Sequence, residues 1–119
     1  MNDEKMKKAA AYFVGEHDFQ SFCAAGSTAE TTVRRIYELQ VRKRDEEIII
    51  EVTGNGFLYH MVRIIAGTLM EVGRGRIAPE EIKTILEAKD RTKAGPTAVA
   101  KGLTLIRYYF EDNPELNKI

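Results

Sequence analysis

Cysteine is almost missing from this chain: Cys23 is the single one in 119 residues. One thiol cannot cross-link a fold or build a zinc site, and it suits a reducing cytoplasm. Cys23 itself reads as a small buried hydrophobe. Histidine is scarce as well. His17 and His60 lie far apart, and neither has a second histidine or cysteine at metal-ligand spacing. Net charge is zero, with 18 basic and 18 acidic residues, so overall charge makes no case for nucleic acid. No apolar run approaches the roughly 18 residues that a membrane-spanning helix needs. The start, Met1-Asn2-Asp3-Glu4-Lys5, carries no apolar signal core. There is no GxxxxGK[ST] loop, no GxGxxG after a strand and no serine elbow, so the usual nucleotide-loop and serine-hydrolase signatures are excluded. What is present is a 44% hydrophobic fraction, enough for the core of one compact domain.

Periodicity sketches the elements. Asn2 or Asp3 can cap a helix that runs to about Val14, where Gly15 closes it. Phe19 and Phe22 anchor a short segment from Phe19 to Ala24. A loop rich in Ser, Thr and Gly follows, from Gly26 to Thr32. Val33, Tyr37, Leu39 and Val41 are expected on one face of a strand from Val33 to Arg44. Ile48, Ile50 and Val52 repeat the alternation after the turn Asp45-Glu46-Glu47, which predicts a β-hairpin. A long helix, apolar on most sides and therefore buried, is expected from Phe57 to about Val72. Gly73-Arg74-Gly75 stops it. Pro79 suits the first turn of another helix, with Ile82, Ile85 and Leu86 as its inner stripe. Asp90 to Lys101 reads as a polar loop. Leu103 to Phe110, apolar on both faces, predicts a central strand or one packed on both sides. The order α, ββ, α, α, β fits an α+β fold: an antiparallel or mixed sheet with helices packed on one face, in a single domain over residues 1–119.

The pattern richest in chemistry is Gly56-Phe57-Leu58-Tyr59-His60-Met61-Val62-Arg63. On a helix turning about 100° per residue, Tyr59, His60 and Arg63 share one arc with Gly56, Ala66 and Gly67. One side of an otherwise apolar helix then carries a phenol, an imidazole and a guanidinium beside small residues. Small residues let another backbone or a ligand come close. A buried arginine demands an anion. On the residues alone two readings stay open: a structural ion pair with Glu71 or Glu51, or a cation that faces a ligand. His60 likewise reads as a hydrogen-bonded core histidine or as a base. Between Val33 and Arg44, five cations (Arg34, Arg35, Arg42, Lys43 and Arg44) stand against one acid, Glu38. They make either the solvated face of a strand or a surface for phosphates.

At the same run the chain resembles the TruA-type tRNA pseudouridine synthases. The resemblance extends from about Met6 to Phe110. It takes in His17-Asp18-Phe19 with Ser21-Phe22, then Thr32-Val33-Arg34 with Ile36. It continues through Gly56-Phe57-Leu58, Met61-Val62-Arg63, Gly67 and Val72-Gly73. It ends with Ala94-Gly95, Thr97-Ala98, Ala100, Gly102-Leu103 and Leu105. The order and spacing together make it specific. The resemblance implies an enzyme that isomerises uridine in the tRNA anticodon stem-loop, using an aspartate nucleophile and no cofactor or metal. It implies tRNA as partner, a homodimer, and two halves of related fold whose sheets join across the active cleft. Arg63 matches the arginine that pairs with the catalytic aspartate. Leu103 matches the leucine that packs on the uracil face. Tyr59 and His60 become further candidates for substrate contact, and Arg34, Arg42, Lys43 and Arg44 for the RNA backbone. The nucleophile belongs to an Arg-Thr-Asp-x-Gly motif of the N-terminal half, which is not found here. Asp90-Arg91-Thr92-Lys93 has similar letters in the wrong order. The expectation is therefore a C-terminal half, with Met1 an added start, inactive by itself. The alternative is a stand-alone RNA-binding or dimerisation module. Val99 departs from the family pattern, which usually has proline there.

Overall fold

A computed structural model describes residues 1–99, and residues 104–110 by their backbone and strand pairing. Helix α1 spans Asp3–Ala11, and the side chain of Asn2 caps it by accepting the Lys5 amide at 3.0 Å. Asp3 and Glu4 lie in the first turn and Lys8 in the last, so each charge complements the helix dipole. The helix ends three residues before the expected Val14. Its final amides turn back on carbonyls three residues earlier, Phe13 to Ala10 at 3.1 Å and Val14 to Ala11 at 3.4 Å. Gly15, with φ at 108°, then redirects the chain.

That redirection starts a strand that periodicity does not predict, β1 (Gly15–Asp18), paired antiparallel with the start of β2. Strands β2 (Val33–Arg44) and β3 (Glu47–Gly54) form the expected hairpin, with Arg44 opposite Glu47. Only part of the predicted inner face holds. Leu39 and Val41 are buried, but Val33 is 42% exposed and Tyr37 only partly covered. Ile36 takes the inward place instead. The pairing shifts between Ile36 and Glu38. Such a bulge adds one residue, and one residue flips the inward and outward parity of the strand. Ile48, Ile50 and Val52 complete the buried face, and Arg42 and Glu51 pair on the opposite one.

Strand β4 (Thr104–Phe110) runs parallel to β3, from Ile48 opposite Thr104 to Gly54 opposite Phe110. The sheet order is β1-β2-β3-β4. Of the two expected placements, central or packed on both sides, the first does not hold: among the described residues β4 is at an edge of the sheet. Two parallel neighbours need a long crossover, and here it contains both remaining helices. Helix α2 spans Met61–Gly73, with ten of its thirteen residues buried, as suits a helix apolar on most sides. Its expected start does not hold, because the helix begins four residues after Phe57. Helix α3 (Glu81–Ala88) buries Ile82, Ile85 and Leu86 as expected. Glu81 reaches back to accept the Ala78 amide at 3.2 Å and so ties down the turn before the helix.

The helices cover one face of the sheet. α1 packs on both β2 and α2. At Gly73 the approach is close, since a Cβ there would lie 2.7 Å from the sulfur of Met6. Phe13, Phe19 and Phe22 fill the adjoining core in edge-to-face contact, with the Phe13 and Phe22 centroids 5.1 Å apart. The expected α+β class, with a mixed sheet and helices on one side, is what the structure contains. Cys23 is only half-buried, packed against the margin of this core. Replacing Phe22 by Ala should lower unfolding stability by about 3–5 kcal/mol, read from the midpoint of a urea titration with an unchanged slope.

Candidate functional site

The site begins where β3 ends. The Asn55 amide donates to the Arg35 carbonyl at 3.0 Å, and its side-chain oxygen accepts the Arg35 amide at 2.9 Å. A side chain thus continues the ladder for one more rung. Gly54 lies hard against this corner, since a Cβ would stand 2.9 Å from the Arg35 carbonyl and 3.0 Å from the Phe57 ring. Leu58 is buried, and its carbonyl accepts the Met61 amide at 3.0 Å, which closes a turn through Tyr59 and His60. His60 occupies the left-handed region at φ 59° and serves as the N-cap of α2. This backbone turn is why the helix cannot start at Phe57. The Tyr59 carbonyl is pinned by the Ala24 amide at 3.0 Å.

The result is an open groove of about 430 Å³ lined by residues 57–63. Tyr59, His60 and Arg63 do come together, as expected, but across a turn and the first helical residues instead of along one helix face. Tyr59 is 54% exposed, and its ring centroid lies 4.1 Å from that of His60. His60 is exposed, so it is not a core histidine.

Arg63 is exposed too, which corrects the expected burial. Among the described residues it forms no salt bridge, and the two proposed structural partners are engaged elsewhere. Glu71 lies 3.2 Å from Arg76 and 3.8 Å from Arg74, and Glu51 pairs with Arg42. The start of α2 carries no acidic side chain in its first turn and no side-chain cap. A helix N-terminus has positive potential, and Arg63 adds a full charge beside it. The groove can therefore hold an anion such as a carboxylate or phosphate, with aromatic and apolar surface alongside.

Gly67 of α2 makes room for the protein's own backbone. A Cβ on Gly67 would stand 1.7 Å from the Pro96 carbonyl oxygen, and one on Gly95 would stand 2.8 Å from the Thr68 Cα. Residues 95–98 thus lie directly on the helix. The Ala98 amide donates to the Arg63 carbonyl at 3.0 Å, and the Gly95 amide donates to the Thr68 hydroxyl at 2.9 Å. Arg91 reaches over this segment from a short 3-10 turn, Arg91–Lys93. The turn is capped by Asp90, whose carboxyl the Thr92 hydroxyl and amide hold below the usual carboxylate range. Sequence reasoning did not single out Thr68 or Arg91. The signal available was the pair of glycines, Gly67 and Gly95, which mark a close backbone approach.

The basic residues of β2 are not brought to one place. Arg34 stands near the groove end of the strand, with its guanidinium donating to the carbonyls of Thr31 at 2.8 Å and Val33 at 2.7 Å. Arg42, Lys43 and Arg44 are exposed at the hairpin tip, roughly 30 Å away at strand spacing. Leu103 lies outside the described residues. Among the described residues, no helix is long and apolar enough to cross a membrane.

Helices on one face of a mixed sheet, with a cationic groove at the start of a buried helix, agree with what comparison with known proteins finds. A family model described as tRNA pseudouridine synthase matches residues 9–111. The chain belongs to that family. It is 52% identical over 110 residues to a protein named tRNA pseudouridine synthase A from Thermoanaerobacter sp. (strain X514), covering 92% of this chain and 45% of that relative. It is 55% identical over 111 residues to the protein of that name from Ruminiclostridium cellulolyticum, covering 92% and 45%. With the one from Bacillus subtilis (strain 168) it shares 48% identity over 112 residues, covering 94% and 45%. The chain therefore spans about half the length of the curated relatives it matches.

The left-handed turn at the groove makes a direct prediction. A β-branched residue tolerates that backbone poorly. His60→Val should cost about 1–2 kcal/mol, whereas His60→Asn should stay within about 0.5 kcal/mol of the parent because asparagine accepts this conformation. Paired thermal melts compare the two.

Proposed function

We propose that the chain is the C-terminal domain of a TruA-type tRNA pseudouridine synthase, and that the intact enzyme isomerises uridine to pseudouridine in the tRNA anticodon stem-loop. The nucleophile in this reading is an aspartate supplied by a segment other than this chain. It bonds to the nucleotide, the N1–ribose bond breaks and the base turns over; carbon 5 then bonds to the ribose as the aspartate is released, and the carbon-5 proton is lost while N1 gains one. No cofactor or metal takes part. The observation that carries the reading is Arg63, an exposed cation on the groove with no salt-bridge partner among the described residues. A carboxylate nucleophile in a closed pocket must stay ionised at neutral pH. A permanently charged guanidinium favours that form and fixes its orientation. The positive end of α2 acts in the same sense.

In this reading Tyr59 and His60 offer flat surfaces to substrate at the groove, and Leu103 forms the apolar wall against the uracil. Arg34 contacts RNA near the groove, and Arg42, Lys43 and Arg44 contact phosphates further along. The intact enzyme works as a cytoplasmic homodimer with tRNA across both subunits. The spread of these cations along β2 suits an extended ligand better than a small one.

Two measurements test the assignment. This chain alone should release no tritium from carbon-5-labelled uridine in tRNA, and turnover would overturn the placement of the nucleophile elsewhere. In the intact enzyme, Arg63→Ala should lower kcat by about 10²-fold or more, with the Kd for tRNA changed far less. Equal losses in both would make Arg63 a binding residue.

A further inference from the structure

We infer that Thr68 and Arg91 are positioning residues that set the aim of Arg63 by clamping residues 95–98 onto α2. The inference rests on the reading of Arg63 as the partner of a carboxylate. The Arg63 side chain is exposed and makes no salt bridge among the described residues. Its direction therefore depends on the backbone of the first turn of α2. The Ala98 amide ties that turn down by donating to the Arg63 carbonyl at 3.0 Å. Inside a helix this carbonyl serves the amide four residues on, so the Ala98 bond takes its second lone pair.

Two side chains keep the clamp closed. The Thr68 hydroxyl, fully buried, donates to the Ile64 carbonyl at 2.8 Å and accepts the Gly95 amide at 2.9 Å. Without that oxygen the buried Gly95 amide has lost its acceptor. Arg91 closes the other side. One guanidinium nitrogen donates to the Gly95 carbonyl at 2.9 Å and another to the Thr97 hydroxyl at 3.3 Å. The fork thus bridges Pro96, which has no amide of its own to offer. Arg91 forms no salt bridge among the described residues, and its planar geometry is spent on this segment. The base of the fork is fixed in turn, because the Asp90 amide donates to the buried Ser21 hydroxyl at 2.8 Å.

The intact enzyme, with its variants compared at a temperature where each is folded, provides the test. A misplacement of about 1 Å can cost on the order of 10²-fold in rate. Thr68→Val and Arg91→Ala should each lower kcat about ten-fold or more, with KM for tRNA within about two-fold. Thr68→Ser, which keeps the hydroxyl, should stay within about two-fold of the parent. Amide exchange over residues 61–64 and 94–99 should quicken in the first two variants and not in Thr68→Ser. A raised KM with unchanged kcat would make Arg91 a tRNA contact and overturn the inference. So would exchange that does not change, or exchange that quickens without loss of turnover. If Thr68→Val does not fold, Arg91→Ala, altered nearer the surface, decides. Arg63→Ala serves as the reference. If it is crippled while Arg91→Ala is fully active, the clamp fails and the reading of the site stands. If Arg63→Ala is itself fully active, both fall together.

Discussion

Helix α2 has to be covered almost everywhere and open at one end. A helix apolar all round is stable only if each side has a neighbour. Here α1, the 3-10 turn at Gln20–Phe22, strand β4 and residues 95–98 supply those neighbours. What remains uncovered is Tyr59 and His60 in the turn before the helix and Arg63 in its first turn, where the dipole is positive, while Met61 and Val62 between them are buried. The position of the groove is thus a consequence of burial elsewhere. Because the rest of α2 is fixed by packing, a side chain projecting from its first turn starts from a rigid base.

Much of the fold was legible because it obeys simple periods. The hairpin showed in the alternation of Ile48, Ile50 and Val52, and α3 in the spacing of Ile82, Ile85 and Leu86. The failures have separate causes. Strand β1 consists of Gly15, Glu16, His17 and Asp18, with no apolar alternation to announce it. It exists because β2 offers an edge. The bulge near Tyr37 reversed the parity of the first half of β2, which no count of alternating residues could anticipate. The apolar faces of β4 fit a central strand or one packed on both sides, and its edge place in the sheet order depends on long-range pairing that composition does not encode.

The site was legible in its members and not in its geometry. Tyr59, His60 and Arg63 do cluster, but His60 at positive φ brings them together through a turn, where a continuous helix was expected. The expectation of a buried Arg63 failed as well: the helix begins only two residues before it, and Arg63 is the exposed residue of a first turn whose Met61 and Val62 are buried. Gly67 marks a close approach, and of the two candidates, backbone or ligand, it is the chain's own backbone at Pro96 that comes near. Thr68 and Arg91 went unnoticed because a buried threonine and a loop arginine carry no signature until their partners at Gly95 and Thr97 are known.

The contact between residues 95–98 and α2 is made largely by main-chain atoms, and this bears on how the segment tolerates sequence drift. Main-chain contacts are indifferent to most side-chain changes, so constraint concentrates at Gly67 and Gly95 and relaxes outward. Val99 is 61% exposed and lies one residue past the last of these bonds. A proline at this position, which the resemblance implies for the family, would restrict the unfolded chain by about 0.4–1 kcal/mol without adding a bond to α2. Stiffness at this loop margin can therefore vary while the spacing at the groove stays fixed.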